Sequence, residues 1–412
     1  MSLIARAKKY INDKGGLWSK GGVDPLLVGL LAIIIVVGVV MLYSATYVYA
    51  SSSEEYGNDP AYFFKKQISG IVFGGLCMLF IIMTNYKIYE DVAAVVGTFA
   101  SFVFLVWALF LEKHNGTQRH ISLGFIQIQP SDIAKFAVIL TLALILDKGH
   151  KYVVSKKPLQ SRFATAVNRC FKHPVLNQSL PVIMLCGALI IAYAGLVVAG
   201  SHLSGMILIS TISVAMLYFG EIRGKWFAFG LVAVIIGVIV VLNTDVLKGY
   251  MQNRIVAWRN KDFEPLKGRW QINQSLFAIA SGGLLGKGFG NSTLKHNYVP
   301  EPQNDMIFAI VVEELGFILS SLLILVFALI VWRCIVIGIN CPDRYGAMVS
   351  MGVAVQFGIQ TILNIWVVTD FIPNTGIGLP FFSYGRTAMV MNMIEMGFVL
   401  SISRNSRIKK RI

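Results

Sequence analysis

Charge is what this chain has least of. Only 14% of its 412 residues are Asp, Glu, Lys or Arg, whereas 56% are hydrophobic. Soluble domains carry about a quarter charged residues, so this balance and a mean hydropathy of +0.67 exclude a soluble globular protein and place the chain in a bilayer. Acids are the scarcer sign, with 21 Asp and Glu against 36 Lys and Arg. No nucleic-acid recognition motif accompanies the basic excess, so nucleic acid is not an expected partner. In an apolar chain the bases read instead as topology markers and as attraction to anionic head groups. Cysteine is sparse and odd in number (Cys77, Cys170, Cys186, Cys334, Cys341). None has metal-ligand spacing or falls in a predicted external loop, which excludes a disulfide framework. The histidines, His202 and His296 among them, form no ligand set. No metal site is expected, although a divalent cation (Mg2+ or Mn2+) assisting a diphosphate would be chemically compatible.

What the chain does have is long apolar runs. A helical span needs about 20 such residues, and ten stretches are predicted as spans, near 25–45, 67–84, 92–111, 131–147, 181–199, 204–220, 226–243, 306–333, 346–369 and 387–403. The first apolar run is longer than that of a cleavable signal peptide and has no small-residue cleavage site, so it reads as a retained span. The expected fold is all-α, a polytopic membrane protein of ten transmembrane helices. A basic N-terminus (1–24) and a basic tail (404–412) flank a membrane domain (25–403), and both termini are cytoplasmic. Residues 148–180 form a basic cytoplasmic loop, and 244–305 form a long extracytoplasmic loop between helices 7 and 8. In this arrangement 22 of the 36 Lys and Arg lie in cytoplasmic segments, as the positive-inside rule requires. No solenoid period or inverted repeat is visible.

One polar stretch, 264–316, interrupts the apolar pattern. It gathers Glu264, Glu301, Asp305, Glu313, Glu314, Lys267, Arg269, Lys287 and Lys295 among glycines and prolines. Within it GGLLGKGFG lacks the Ser or Thr that follows Lys in a Walker A motif, and no strand precedes it, so its glycines read as turn formers against a helix end. Lys287 either meets a diphosphate or faces water. Glu313 and Glu314 sit where a span begins. Being adjacent, they point about 100° apart on a helix, and pairing with bases elsewhere in the bundle is the expectation. Asp132 and Lys135 share one helix face three residues apart, so Lys135 either pairs locally or binds phosphate.

Several segments carry a family resemblance. WQINQSLFAIASGGLLGKGFGNS from Trp270, KHNYVPEPQNDMIFAIVVEELG from Lys295 and NTGIGLPFFSYG from Asn374 resemble the SEDS family of cell-wall polymerases (FtsW, RodA, SpoVE). MLYSAT from Met41 and QIQPSDIAK from Gln127 resemble it more weakly, and NYVPEPQND with the ending LSISRNS leans towards the FtsW/SpoVE branch. The resemblance implies a peptidoglycan glycosyltransferase that polymerises lipid II at the outer face of the bacterial cytoplasmic membrane, for division or sporulation, with a class B penicillin-binding protein as partner. It places the family's catalytic Asp at Glu264, upstream of Trp270 and Gln271, with Asp262 as the fallback. It implies Arg119, Lys135, Lys287, Gln271 and Ser383 at the substrate and its diphosphate, and Pro300, Asp305, Glu313 and Glu314 in support. The chain departs from the family pattern at Lys267 and Arg269, which replace glycines, at His120, and at Arg386 and Thr387, where Gly-Ser usually follows SYG. Two other readings fit the same span count: a transporter for the lipid-linked precursor, which would depend on Lys135, Glu313 and Glu314 along a transbilayer path, and an inactive division scaffold.

Overall fold

A computed structural model describes residues 12–19, 21–111, 121–122, 127–154, 179–200, 203–222, 224, 226–227, 254, 256, 258–260, 269–296 and 298–406. The expected seventh span (226–243), Arg119, Asp262 and Glu264 lie outside the described residues, apart from 226–227. Helices occupy the other nine expected stretches: α1 (Pro25–Ser51), α2 (Tyr62–Met83), α3 (Tyr89–Leu109), α4 (Pro130–Lys148), α5 (Leu180–Ala199), α6 (Leu203–Phe219), α8 (Ile307–Ile339), α9 (Arg344–Val368) and α10 (Arg386–Asn405). A shorter helix, α7 (Trp270–Gly282), lies in the stretch expected to be a loop, and a two-residue antiparallel pair joins Ile121–Ser122 to Gln127–Ile128.

Six of the described helices are long and apolar enough to cross a membrane by length and composition. The molecule is a multi-pass helical membrane protein. Helices α4 and α10 carry more charge because they lie inside the bundle. Most of α4 is buried, Asp132 and Lys135 included, and Glu395 on α10 is wholly buried. Apolar side chains on α3, including Phe99, Val95 and Val96, face outward instead, as expected where lipid is the solvent. Several helices run past their apolar cores. Helix α2 begins at Tyr62, five residues before the expected span, because Tyr62, Lys65 and Lys66 continue the helix beyond the hydrocarbon-like segment.

One end of the bundle is tied by charge and by helix capping. Asp24 caps α1 by accepting from Leu27 N at 2.9 Å, Pro25 fills the first helical position, and Arg333 of α8 donates from Nε to both Asp24 oxygens at 3.0 Å. Such a cap satisfies backbone N–H groups that the helix cannot. Arg404 closes the same end, donating to the backbone oxygens of Gly21 (2.9 Å), Ile82 (2.8 Å) and Ser19 (2.7 Å). Both ends of the described chain therefore meet on one side.

Helix α8 is broken at Gly316, whose φ of 76° and ψ of 177° interrupt the helical ladder. The glycine-rich loop docks into the break. Lys287 N and Gly288 N donate to Glu313 O (2.9 Å) and Glu314 O (3.0 Å), while Phe317 N and Ile318 N donate to Gly283 O (2.9 Å) and Leu284 O (3.2 Å). A Cβ on Gly286 would stand 2.2 Å from Glu314 O, and one on Gly316 would stand 2.2 Å from Gly286 N. Only glycine permits that approach. These glycines seat backbone on backbone, in line with the turn-forming reading of GGLLGKGFG.

Candidate active-site cavity

Opposite the tied end, the other helix ends surround a cavity of about 640 Å³. The loop after α1 contributes Glu55 and Tyr56, and the start of α2 contributes Tyr62 and Lys66. The start of α4 brings Ser131, Asp132 and Lys135, and α7 brings Gln271. Most residues of 300–305 and 376–385 and the first turn of α10 add to the wall, together with Ser204 of α6, Arg254 and Gln360. Five residues expected at the site or supporting it (Lys135, Gln271, Ser383, Pro300 and Asp305), with Asp132 beside Lys135, thus come together from distant parts of the chain.

Two loops are clamped to build the wall. Asn364, buried in α9, donates to Asp305 O (2.8 Å) and Ile377 O (2.7 Å). Ser383 donates from its hydroxyl to Asn304 O at 2.7 Å and accepts from Leu379 N at 2.7 Å, while Tyr384 N donates to Gln303 O at 2.7 Å. Gln271 donates to Pro300 O (3.5 Å) and Asp305 Oδ1 (3.4 Å), and it accepts from Asn374 Nδ2 at 2.9 Å. Ser383 and Gln271 therefore line the cavity while holding its loops in register. Glu301 (φ 46°) and Phe381 (φ 64°) adopt left-handed backbone within this wall, a conformation that costs non-glycine residues about 1–3 kcal/mol and clusters at functional sites.

Lys135 makes the local pair expected of it, in the wall of the cavity. Its ammonium lies 2.9 Å from Asp132 Oδ1 and 3.3 Å from Gln360 Oε1, and Lys135 and Asp132 both line the cavity. Asp132 Oδ2, Ser131 Oγ and Gln303 Oε1 are buried there without a hydrogen-bond partner. Buried polar atoms are normally satisfied, so these atoms mark a surface suited to a polar ligand. At the rim, burial and the neighbouring Tyr49 push the Tyr56 hydroxyl up, and burial does the same for Tyr384 while the charge of Arg386 opposes it. Both phenols stay protonated donors at neutral pH.

The remaining expected residues that the structure describes, Lys287, Glu313 and Glu314, form a second cluster around the α8 break. Lys287, expected either at a diphosphate or in water, instead donates to Glu313 Oε1 at 2.6 Å and does not line the cavity. Glu313 is fully buried, so it draws this cation together with donors from Ser281, Ser292 and Thr293. Glu314 pairs with Lys295. The two acids do diverge, and their bases come from the adjoining 283–296 loop. Among the described residues no group of three or more His, Cys, Asp or Glu is placed to hold a metal ion.

Sequence reasoning gave no role to Lys66, Arg254, Gln360 or Asn364. Lys66 had a usable signal, a charge at the end of a span. For the amides on α9, Gln360 and Asn364, there was none, since an isolated amide in an apolar helix carries no motif.

Fold and cavity together define a polytopic helical membrane protein with a polar chamber at one bundle end. The sequence profile of the FtsW/RodA/SpoVE family, described as cell cycle protein, matches residues 24–408, and the chain belongs to that family. It is 34% identical over 389 residues to stage V sporulation protein E of Bacillus subtilis (strain 168), covering 93% of this chain and 98% of that one. It is 32% identical over 318 residues to the probable peptidoglycan glycosyltransferase FtsW of Coxiella burnetii, covering 74% and 78%. Among solved structures, a chain of a peptidoglycan synthase complex superposes with a TM-score of 0.69 at 21% identity, covering 94% of this chain and 99% of the other. The rod shape determining protein RodA of Thermus thermophilus superposes at 0.63 with 22% identity, covering 93% and 98%.

Proposed function

We propose that this protein is a peptidoglycan glycosyltransferase that polymerises lipid II at the outer face of the bacterial cytoplasmic membrane. The observation that carries the reading is the cavity. It lies at the end of the bundle away from the tied termini, and residues of the PEPQND run from Pro300 and of the LPFFSYG run from Leu379 line it. The family relationship and the names of the relatives support the same activity. Ten spans with cytoplasmic termini would put the cavity on the external side, where the positive-inside pattern also puts it.

In the reaction an acceptor hydroxyl attacks the anomeric carbon of a lipid-linked glycan. The new glycosidic bond forms as the bond from that carbon to the diphosphate breaks, and undecaprenyl diphosphate leaves. Glu264 takes the hydroxyl proton as general base. Arg254 and Gln271, the cavity residues nearest to it in sequence on either side, support that assignment. Lys135 and Arg119 offset charge on the departing diphosphate. Asp132 holds Lys135 in place from one helical turn away. The polymer is then cross-linked by a class B penicillin-binding protein acting as partner.

Purified protein with its cognate class B penicillin-binding protein, supplied with lipid II in proteoliposomes, is expected to produce glycan strands. Translocation of lipid II across the bilayer without strand formation would instead indicate a transporter.

A further inference from the structure

Two cations on the cavity wall, Arg386 and Lys66, have no acidic partner among the described residues. Arg386 opens α10, and none of the hydrogen bonds or ion pairs among the described residues involves its guanidinium. Among the described residues the Lys66 ammonium on α2 contacts Tyr62 alone, through the hydroxyl and over the ring at 3.9 Å. The other cavity cations are engaged, Lys135 by Asp132 and Gln360, and Arg254 by Asn374.

The fold packs the two helices that carry these cations against each other. Gly70 of α2 packs so closely on α10 that a Cβ there would meet Arg386 Cα at 3.4 Å. Lys66 lies four residues before Gly70 and therefore on the same helix face. Between them Gln67, fully buried, accepts from Gly385 N at 3.2 Å and donates to Ser383 O at 3.4 Å, fixing the start of α10 against α2. That start has no side-chain cap. Arg386, Thr387 and Ala388 all line the cavity, so the positive end of a 20-residue helix opens into it. Ser131, whose buried hydroxyl has no hydrogen-bond partner, lines the same cavity.

We infer that Arg386 and Lys66 form a diphosphate-binding subsite, separate from the Lys135 pair, that gives the cavity specificity for diphosphate-linked over monophosphate-linked lipids. The inference rests on the glycosyltransferase reading for the identity of the natural ligand. A guanidinium matches adjacent phosphate oxygens with two parallel N–H donors, and an ammonium adds a point charge. Two cations on adjoining helices fit two phosphoryl groups, whereas a single phosphate needs only one of them.

The test uses the full-length protein in phosphatidylcholine nanodiscs, with undecaprenyl diphosphate and undecaprenyl monophosphate as probes. Arg386→Gln is expected to weaken diphosphate binding about tenfold or more and to leave monophosphate binding within about threefold. Arg386→Lys should restore most of the affinity. With the penicillin-binding partner present, Arg386→Gln should raise the KM for lipid II far more than it lowers kcat. Unchanged diphosphate binding in Arg386→Gln overturns the subsite. Equal weakening of both probes also overturns it, because it signals general attraction to lipid head groups. Failure of Arg386→Lys to rescue indicates packing and overturns it too. If Arg386→Gln melts earlier than wild type, Lys66→Gln decides: severalfold weaker diphosphate binding supports the subsite and wild-type binding overturns it. Wild-type protein that binds the diphosphate lipid but forms no strands contradicts the glycosyltransferase reading and leaves the subsite standing.

Discussion

Lys295 Nζ stands 2.9 Å from Glu314 Oε1, and both side chains are wholly buried. The ammonium also donates to Gly290 O at 2.6 Å and lies over the Tyr47 ring, while Glu314 accepts from Ser44 of α1 at 2.7 Å. This pair joins the 283–296 loop, the α8 break and α1.

Breaking such a pair by removing one partner strands a buried charge and costs about 3–5 kcal/mol. Lys295→Met and Glu314→Gln should each lower the thermal midpoint sharply. The double substitution should cost less than the two losses added together, because neither charge is then left alone. Additive losses in thermal unfolding of detergent-solubilised protein would show that the contact contributes little.

The docked glycines separate conformational cost from steric cost. Gly283 (φ 54°) has open space around its position, whereas Gly286 (φ 79°) faces Glu314 O. Gly283→Ala should cost only the backbone penalty of a φ/ψ region essentially confined to glycine (φ 54°, ψ −151°), about 1–3 kcal/mol. Gly286→Ala should cost clearly more, since the loop must also back away from α8. Thermal midpoints in the order wild type, Gly283→Ala, Gly286→Ala check this.

Acid should loosen the tied end. Burial raises the Asp24 carboxyl, but the hydrogen bonds and charge of Arg333 and the Leu27 N–H outweigh it, holding Asp24 below its ordinary value of 3.8. A carboxyl lowered by folding stabilises fully above its unfolded value and loses that contribution as pH falls through the folded value. Wild type should therefore exceed Asp24→Asn in thermal midpoint at neutral pH, with the gap constant down to about pH 5 and shrinking as pH falls past 3.8 and through the lower folded value. A gap that does not shrink there would place the stabilisation elsewhere.

Lys135→Met should keep the fold but impair the reaction. It leaves Asp132, with Oδ2 already unpartnered, as an uncompensated acid in the cavity. We expect strand formation to fall about tenfold or more and Asp132→Asn in the same background to recover part of it. Initial rates with the penicillin-binding partner would measure both effects.

The sequence displayed the membrane class directly, because 20-residue apolar runs need no tertiary context. It was less informative where helices serve the interior. Helices α4 and α10 carry Lys135 and Glu395 inside the bundle, and only packing reveals that those charges are enclosed. Asp132 and Lys135 were legible as a pair from their spacing, yet their neighbour Gln360 lies 225 residues from Lys135. Lys287 was misleading for a physical reason, since its partner Glu313 is buried by a helix break at Gly316 that hydropathy cannot register. Arg386 stood out in sequence as a departure from the family pattern, but only the packing of α2 on α10 set it beside Lys66.

The central claim is that Glu264 is the base of a lipid II polymerase. The direct measurement is glycan-strand formation from lipid II by the protein with its penicillin-binding partner, comparing wild type, Glu264→Gln and Asp262→Asn. The prediction is that Glu264→Gln abolishes strands while the protein stays folded and partner-bound, and that Asp262→Asn retains activity. Strand formation by Glu264→Gln at the wild-type rate would contradict the claim.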